Sequence, residues 1–194
     1  MHHELERLWT RGTAEDLREI DRFDARALRG PRPPFLEVPA GALLRVAPGE
    51  ESADEVAVLV GGVYWNAGMS TDELRRAHLG STAWIAARDH SGRLIASARA
   101  ISDTAKWAWV YDVVVVEDWR RRGVGDAVMR TLLDHPALRR VCGVWLSTRD
   151  AMRFYRRMGF VERGELPAKP WPSVDMARLS RVPWVPSLVA STPP

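Results

Sequence analysis

Apolar residues recur along this chain with two periods, and the switches between them mark the elements. Gly41–Ala47 predicts a short strand. Ser52-Ala-Asp-Glu55 reads as a capping box, with serine at the N-cap and glutamate three residues on. Val56, Leu59, Val60 and Val63 follow it at helical spacing. Gly68 breaks that run, and a second box, Ser70-Thr-Asp-Glu73, opens a short helix through about His78. Residues 82–116 then predict three strands, Thr82–Arg88, Leu94–Ile101 and Trp107–Val116. The turns between them, Asp89-His-Ser-Gly92 and Ser102-Asp103-Thr104, are short, which predicts an antiparallel meander. Val113–Val116 is apolar on both faces, so its strand is expected to be central and buried. Gly123–Leu133 predicts a helix with Val124, Ala127, Val128 and Leu132 on one face. Val141–Leu146 predicts a strand, and Arg149–Met158 a helix with Ala151, Phe154, Tyr155 and Met158 aligned. Phe160–Glu162 starts another strand and Val174–Leu179 supplies a last one.

The two ends read differently. Thr13-Ala14-Glu15-Asp16 resembles a helix start, with Leu17, Ile20 and Phe23 on one side. Pro31, Pro33 and Pro34 cannot continue a helix. The expected organisation is a helical extension with a Pro-rich linker over 1–39, one domain over 40–181, and a Pro-rich tail over 182–194.

Composition narrows the class. A length of 194 residues suits one domain with extensions. The net charge of 28 − 25 = +3 requires neither a nucleic-acid nor an anionic-membrane partner, and neither is expected. No apolar run approaches the roughly 18 residues of a membrane span. The start Met1-His2-His3-Glu4-Leu5-Glu6 does not look like a secretory signal, so a cytoplasmic protein is expected. A single cysteine, Cys142, excludes an internal disulfide and a Cys-cluster metal site. It is expected to be inert at the start of a buried strand. His78, His90 and His135 have no partners at ligand spacing, so no metal is expected.

The chemistry concentrates where the valine-rich strand runs into Arg120-Arg-Arg-Gly-Val-Gly125 and a helix begins. A helix start leaves N–H groups unpaired and carries positive partial charge. Gly123 and Gly125 bare that backbone, and three arginines raise the local potential. The combination suits a pyrophosphate cradle, although a tight turn with a solvated basic face would look the same. It is not the Walker loop, because no Gly-Lys-Ser/Thr follows, nor the Rossmann fingerprint, because the six-residue spacing of glycines is absent.

A second motif, Ala151-x-x-Phe154-Tyr155-x-x-x-Gly159-Phe160, lies downstream of Arg120-x-x-Gly123-x-Gly125. Together the pair resembles the GNAT superfamily of N-acetyltransferases, over about residues 41–180. The resemblance implies a mixed, mostly antiparallel sheet of six to seven strands flanked by about four helices, an α/β (α+β) fold. It implies acetyl-CoA as co-substrate, with the diphosphate on Arg120, Arg121, Arg122, Gly123, Val124, Gly125 and Asp126. The pantetheine arm would pair with Val114, Val115 and Val116, and Thr148 stands where an asparagine is common. Tyr155 would protonate the leaving thiolate, since a phenol titrating near pH 10 is protonated at neutral pH. The backbone N–H near Val115 would stabilise the oxyanion of acyl transfer.

Asp112, three residues before Val115, is a candidate for handling the protonated amine. A buried carboxylate there equally suits a structural ion pair, for example to Arg99. Tyr64, Trp65 and Met69 would border the acceptor pocket by the same resemblance, or simply pack over the sheet. Trp107 and Trp109 alternate on a strand and read as sheet packing. The expected function is acetyl transfer to a primary amine of a small molecule or peptide, with a homodimer among the expected assemblies. A noncatalytic CoA-binding regulatory module is the alternative.

Overall fold

A computed structural model describes residues 42–46 and 48–166, the rest lying outside the described residues. Five strands form one sheet in the order β1-β2-β3-β4-β5. They are β1 (Ala42–Val46), β2 (Ala83–Asp89), β3 (Leu94–Ser102), β4 (Trp107–Val115) and β5 (Gly143–Trp145). The first three pairings are antiparallel, β2–β3 and β3–β4 as the short turns predict, and β4–β5 is parallel. Among the described residues there are four α-helices: α1 (Glu50–Gly61), α2 (Thr71–Leu79), α3 (Val124–Leu133) and α4 (Met152–Arg156). By chain contacts the molecule divides into two compact units, 1–146 and 147–194, so the whole sheet belongs to the first.

The meander turns are built locally. Asp89 Oδ1 accepts from the N–H groups of Ser91 and Arg93, and Gly92 supplies the positive φ of 86°. Asp103 Oδ1 accepts from the N–H groups of Ala105, Lys106 and Trp107. One capping box forms and the other does not. Ser70 Oγ accepts from Glu73 N–H at 3.3 Å while Glu73 Oε2 accepts from Ser70 N–H at 2.8 Å. Ser52, by contrast, lies inside α1, which starts at Glu50 after Gly49. Its hydroxyl and Glu55 serve Arg88 of β2 instead, Glu55 accepting both guanidinium N–H groups at 2.8 and 2.6 Å.

Three expectations are corrected. The sheet has five strands among the described residues, not six to seven. Phe160–Glu162 makes no strand because Phe160 N–H turns back to Tyr155 O at 3.2 Å, closing α4 over Gly159 at φ 87°. Val174–Leu179, the extension 1–39 and the tail 182–194 lie outside the described residues. Second, β3 is the buried strand rather than β4: Leu94–Ala100 is wholly buried, whereas β4 alternates, with Trp107, Trp109 and Tyr111 exposed. Third, Cys142 is exposed, one residue ahead of β5.

The core follows from these layers. Ala53, Val56, Ala57, Val60 and Leu74 of α1 and α2 pack on Trp84, Ala86, Leu94 and Val114 of the sheet. The helix α3 rests on β2, β3 and β4, burying Val124, Ala127, Val128, Met129 and Leu132.

Candidate active site

The strand β4 carries an extra residue. Ser97 faces Val114, but Arg99 faces Tyr111, so two steps on β3 oppose three on β4. Asp112 takes up the surplus at φ 51°, the left-handed region that side chains avoid. This is a β-bulge, which bends its strand. Beyond it, Val116 N–H donates to Ile95 O at 2.9 Å. By strand alternation Val115 therefore points its N–H and C=O to the other edge. Arg120 Nε donates to that Val115 carbonyl at 3.0 Å.

That other edge is only partly paired among the described residues. The strand β5 pairs only with Trp107, Ala108 and Trp109. The paired end is fastened by rings, Trp145 lying 6.3 Å from Trp109 and 5.7 Å from Trp107. Gly143 lets the Trp107 ring lie over β5, since a Cβ there would stand 2.5 Å from the ring. From Val110 to Val115, β4 has no strand partner on this side among the described residues. Main-chain groups on this stretch thus lack a strand partner among the described residues, an arrangement suited to a ligand carrying amides.

This stretch leads to the Arg/Gly loop. A one-turn helix, Glu117–Trp119, follows β4, and Arg121 (φ 59°) and Gly123 (φ 82°) both take left-handed conformations. Gly123 is the N-cap of α3 and its carbonyl accepts from Ala127 N–H at 3.0 Å. Arg120, Arg121, Arg122 and Gly123 are exposed, Gly125 and Asp126 are half-buried, and the Val124 side chain is in the core. Arg122 lies over the Trp119 ring at 5.2 Å. The first-turn N–H groups of α3 have no carbonyl within the helix to bond. With three arginines beside them, these residues fit a diphosphate, and the partly paired β4 edge fits a pantetheine arm.

Asp112 sits in a closed network. Arg99 Nε donates to its Oδ2 at 2.6 Å, while Asn66 Nδ2 and Trp65 Nε1 donate to its Oδ1 at 3.0 and 3.2 Å. Asn66 also donates to Val60 O at 3.0 Å, tying the joint between α1 and α2 to the bulge. The Arg99 guanidinium stands 4.8 Å from the Tyr111 ring centre. Burial pushes the Asp112 carboxyl up, but the charge of Arg99, the hydrogen bonds from Arg99 and Asn66 and the nearby His78 outweigh it. The group is held below the usual carboxylate range.

His78 lies close to this network and is fully buried, edge-on to Trp84 at 5.6 Å. Its Nδ1–H donates to Leu74 O at 2.9 Å, and Nε2 has no partner among the described residues. Burial holds the imidazole below its ordinary value, with the Leu74 bond and Asp112 opposing.

Of the expected pocket residues, Tyr64 and Trp65 are exposed and meet edge to face at 4.9 Å. Met69 packs against the core cluster instead. Asn66 belongs to no motif, and nothing in its neighbours along the chain signals its role. Thr148 and Tyr155 belong to the second unit. There Thr148 Oγ1 accepts from Ala151 N–H at 3.1 Å, and Tyr155 is buried between Phe154 and Phe160, at 4.9 and 5.8 Å.

A bulged strand, a partly paired edge and a glycine-capped helix start now stand in chain order, and residues 80–162 match the family model for the acetyltransferase (GNAT) domain. Residues 80–162 are thus similar to a GNAT acetyltransferase domain. It is 34% identical over 79 residues to an uncharacterised N-acetyltransferase (ycf52) of Porphyra purpurea, covering 40% of this chain and 45% of that one. It is 32% identical over 90 residues to the chloroplastic GCN5-related N-acetyltransferase 1 of Arabidopsis thaliana, covering 46% and 45%. The chain thus spans less than half the length of these relatives. Among solved structures, a Xanthomonas campestris pv. campestris protein assigned to the GNAT family superposes with a TM-score of 0.56 at 27% identity, over 66% of this chain and 94% of that one. A Deinococcus radiodurans structure shares the fold, with a TM-score of 0.54 at 23% identity over 68% and 90%.

Proposed function

We propose that this GNAT-like domain transfers an acetyl group from acetyl-CoA to a primary amine of a small molecule or peptide. The observation that carries the proposal is the partly paired edge of β4 running into the glycine-capped start of α3. Bound acetyl-CoA would supply the acyl group as an activated thioester. The N–H groups around Gly123 and the arginines of the loop would hold the diphosphate. Val115, whose main chain faces that edge, would bond the arm and direct its N–H at charge developing on the carbonyl oxygen.

An attacking amine must be neutral, although a lysine-like amine has a pKa near 10.4. Asp112 is poorly suited to take its proton, because Arg99, Asn66 and Trp65 already engage both carboxylate oxygens. Bulk solvent is the better route, leaving Asp112 a structural part. The Tyr155 hydroxyl would return a proton to the departing thiolate.

The test measures CoA released from acetyl-CoA with a broad panel of amines, comparing wild type with Tyr155→Phe. Loss of the acid should lower kcat by about 10²–10⁴-fold and leave acetyl-CoA binding intact. A wild type that binds acetyl-CoA and acetylates nothing in the panel would establish the noncatalytic module instead.

A further inference from the structure

Asp112 is a strained residue with three donors on its side chain. Glycine would take φ 51° more readily, and aspartate is one of the few side chains that visit it at all. An aspartate there needs surroundings that over-determine it. The surroundings are explicit: Arg99 from β3, and Asn66 and Trp65 from the joint between α1 and α2. Arg99 is itself anchored, its Nη1 lying 3.5 Å from Ala77 O and from Ser81 Oγ. The Arg99 and Asp112 side chains are 11% and 4% exposed, so solvent cannot replace these bonds.

We infer that Arg99, Asp112 and Asn66 form a positioning clamp that fixes the β4 bulge and so sets the direction of the Val113–Val115 amides. The bulge decides which edge Val115 faces. Without the surplus residue the alternation would shift by one, and Val115 would turn its N–H and C=O toward β3. The clamp holds the surplus at Asp112 and nowhere else. It also makes the Tyr64–Asn66 joint and the bulge one body, joining the acceptor side to the arm side. The consequence for ligand binding rests on the acetyl-CoA reading above.

The experiment compares two probes by calorimetry. One is CoA; the other is 3′-phosphoadenosine diphosphate, which keeps the diphosphate and lacks the arm. The variants are Asn66→Ala, which removes one donor, and Arg99→Gln with Asp112→Ala, which deletes the clamp without stranding a charge and without easing the left-handed φ. Losing the clamp should weaken CoA about tenfold, the equivalent of one or two hydrogen bonds, and leave the armless nucleotide unchanged. In ¹H–¹⁵N spectra the Val113–Val115 amides should move, in Asn66→Ala as well as in the double variant. Equal weakening of both probes would mean general damage and would overturn the clamp, as would unmoved amides with unchanged CoA affinity. Should the double variant not fold, Asn66→Ala decides alone. A wild type that binds neither probe would sink the acetyl-CoA reading, while the amide spectra would still judge the clamp.

Discussion

Arg120 Nε holds the Val115 carbonyl at 3.0 Å, the group that a pantetheine amide would need. The same guanidinium is exposed beside the glycine-capped helix start. Binding of CoA therefore should release Arg120 from the strand and hand it to phosphate. The exchange is favourable, since the guanidinium trades a neutral carbonyl for an anionic oxygen that it can hold by a bidentate contact between opposite charges. Arg120→Ala is expected to weaken CoA by about 1 kcal/mol, roughly fivefold, and to lessen the salt dependence of binding. Calorimetry at two ionic strengths measures both. Affinity unchanged at either salt would show that Arg120 stays on the strand. Gly123 makes a sharper case. At φ 82° a side chain is strained, so Gly123→Val should cost at least about 1–2 kcal/mol of stability and crowd the N–H groups of the cradle. A thermal melt with and without CoA separates the two effects: the variant should melt lower and gain less from the ligand.

Helix ends show why one element was legible and its twin was not. The Ser70 box closes α2 with bonds at 3.3 and 2.8 Å, and Ser70→Ala should cost about 1 kcal/mol in urea unfolding, with CoA affinity unchanged. The Ser52 box has the same spacing, yet Arg88, a residue 36 positions away, takes Ser52 and Glu55 for itself. Local chemistry is written in adjacent residues: the Asp89 and Asp103 turns, the Ser70 cap and the Gly123 helix start could all be read from the chain. Register is not local. Nothing in Trp107–Val116 states that Asp112 bulges, because the bulge exists only against β3. Nor does the chain state that β5 stops at Trp145 and leaves Val110–Val115 without a strand partner on that side among the described residues. The valine run suggested a central strand, but centrality depends on the order of pairing, and β3 holds that place. Asn66 escaped notice for the same reason, its partners being Val60 and the distant Asp112.

Two buried titrating groups give the folded protein two separate responses to acid. His78 is held below its ordinary 6.5 by burial, so below that pH the unfolded chain takes up a proton that the native state refuses. Stability should therefore fall as pH drops below 6.5. Asp112 is held below its ordinary 3.8; the stability it contributes is present above that value and is lost as pH falls through the native pKa. Between the two windows the protein weakens while the Arg99–Asp112 pair stays charged. Melting midpoints should decline from pH 7 to pH 5, yet the Val113–Val115 amide resonances should hold their positions over that range. His78→Leu replaces the imidazole with an apolar group, removing the unpaired Nε2 and the titration together. Its midpoint should lose most of this decline. A decline that survives the substitution would place the proton uptake on another group. Amides that drift with the midpoint would mean that the bulge loosens with the fold as a whole, rather than standing on its own ion pair.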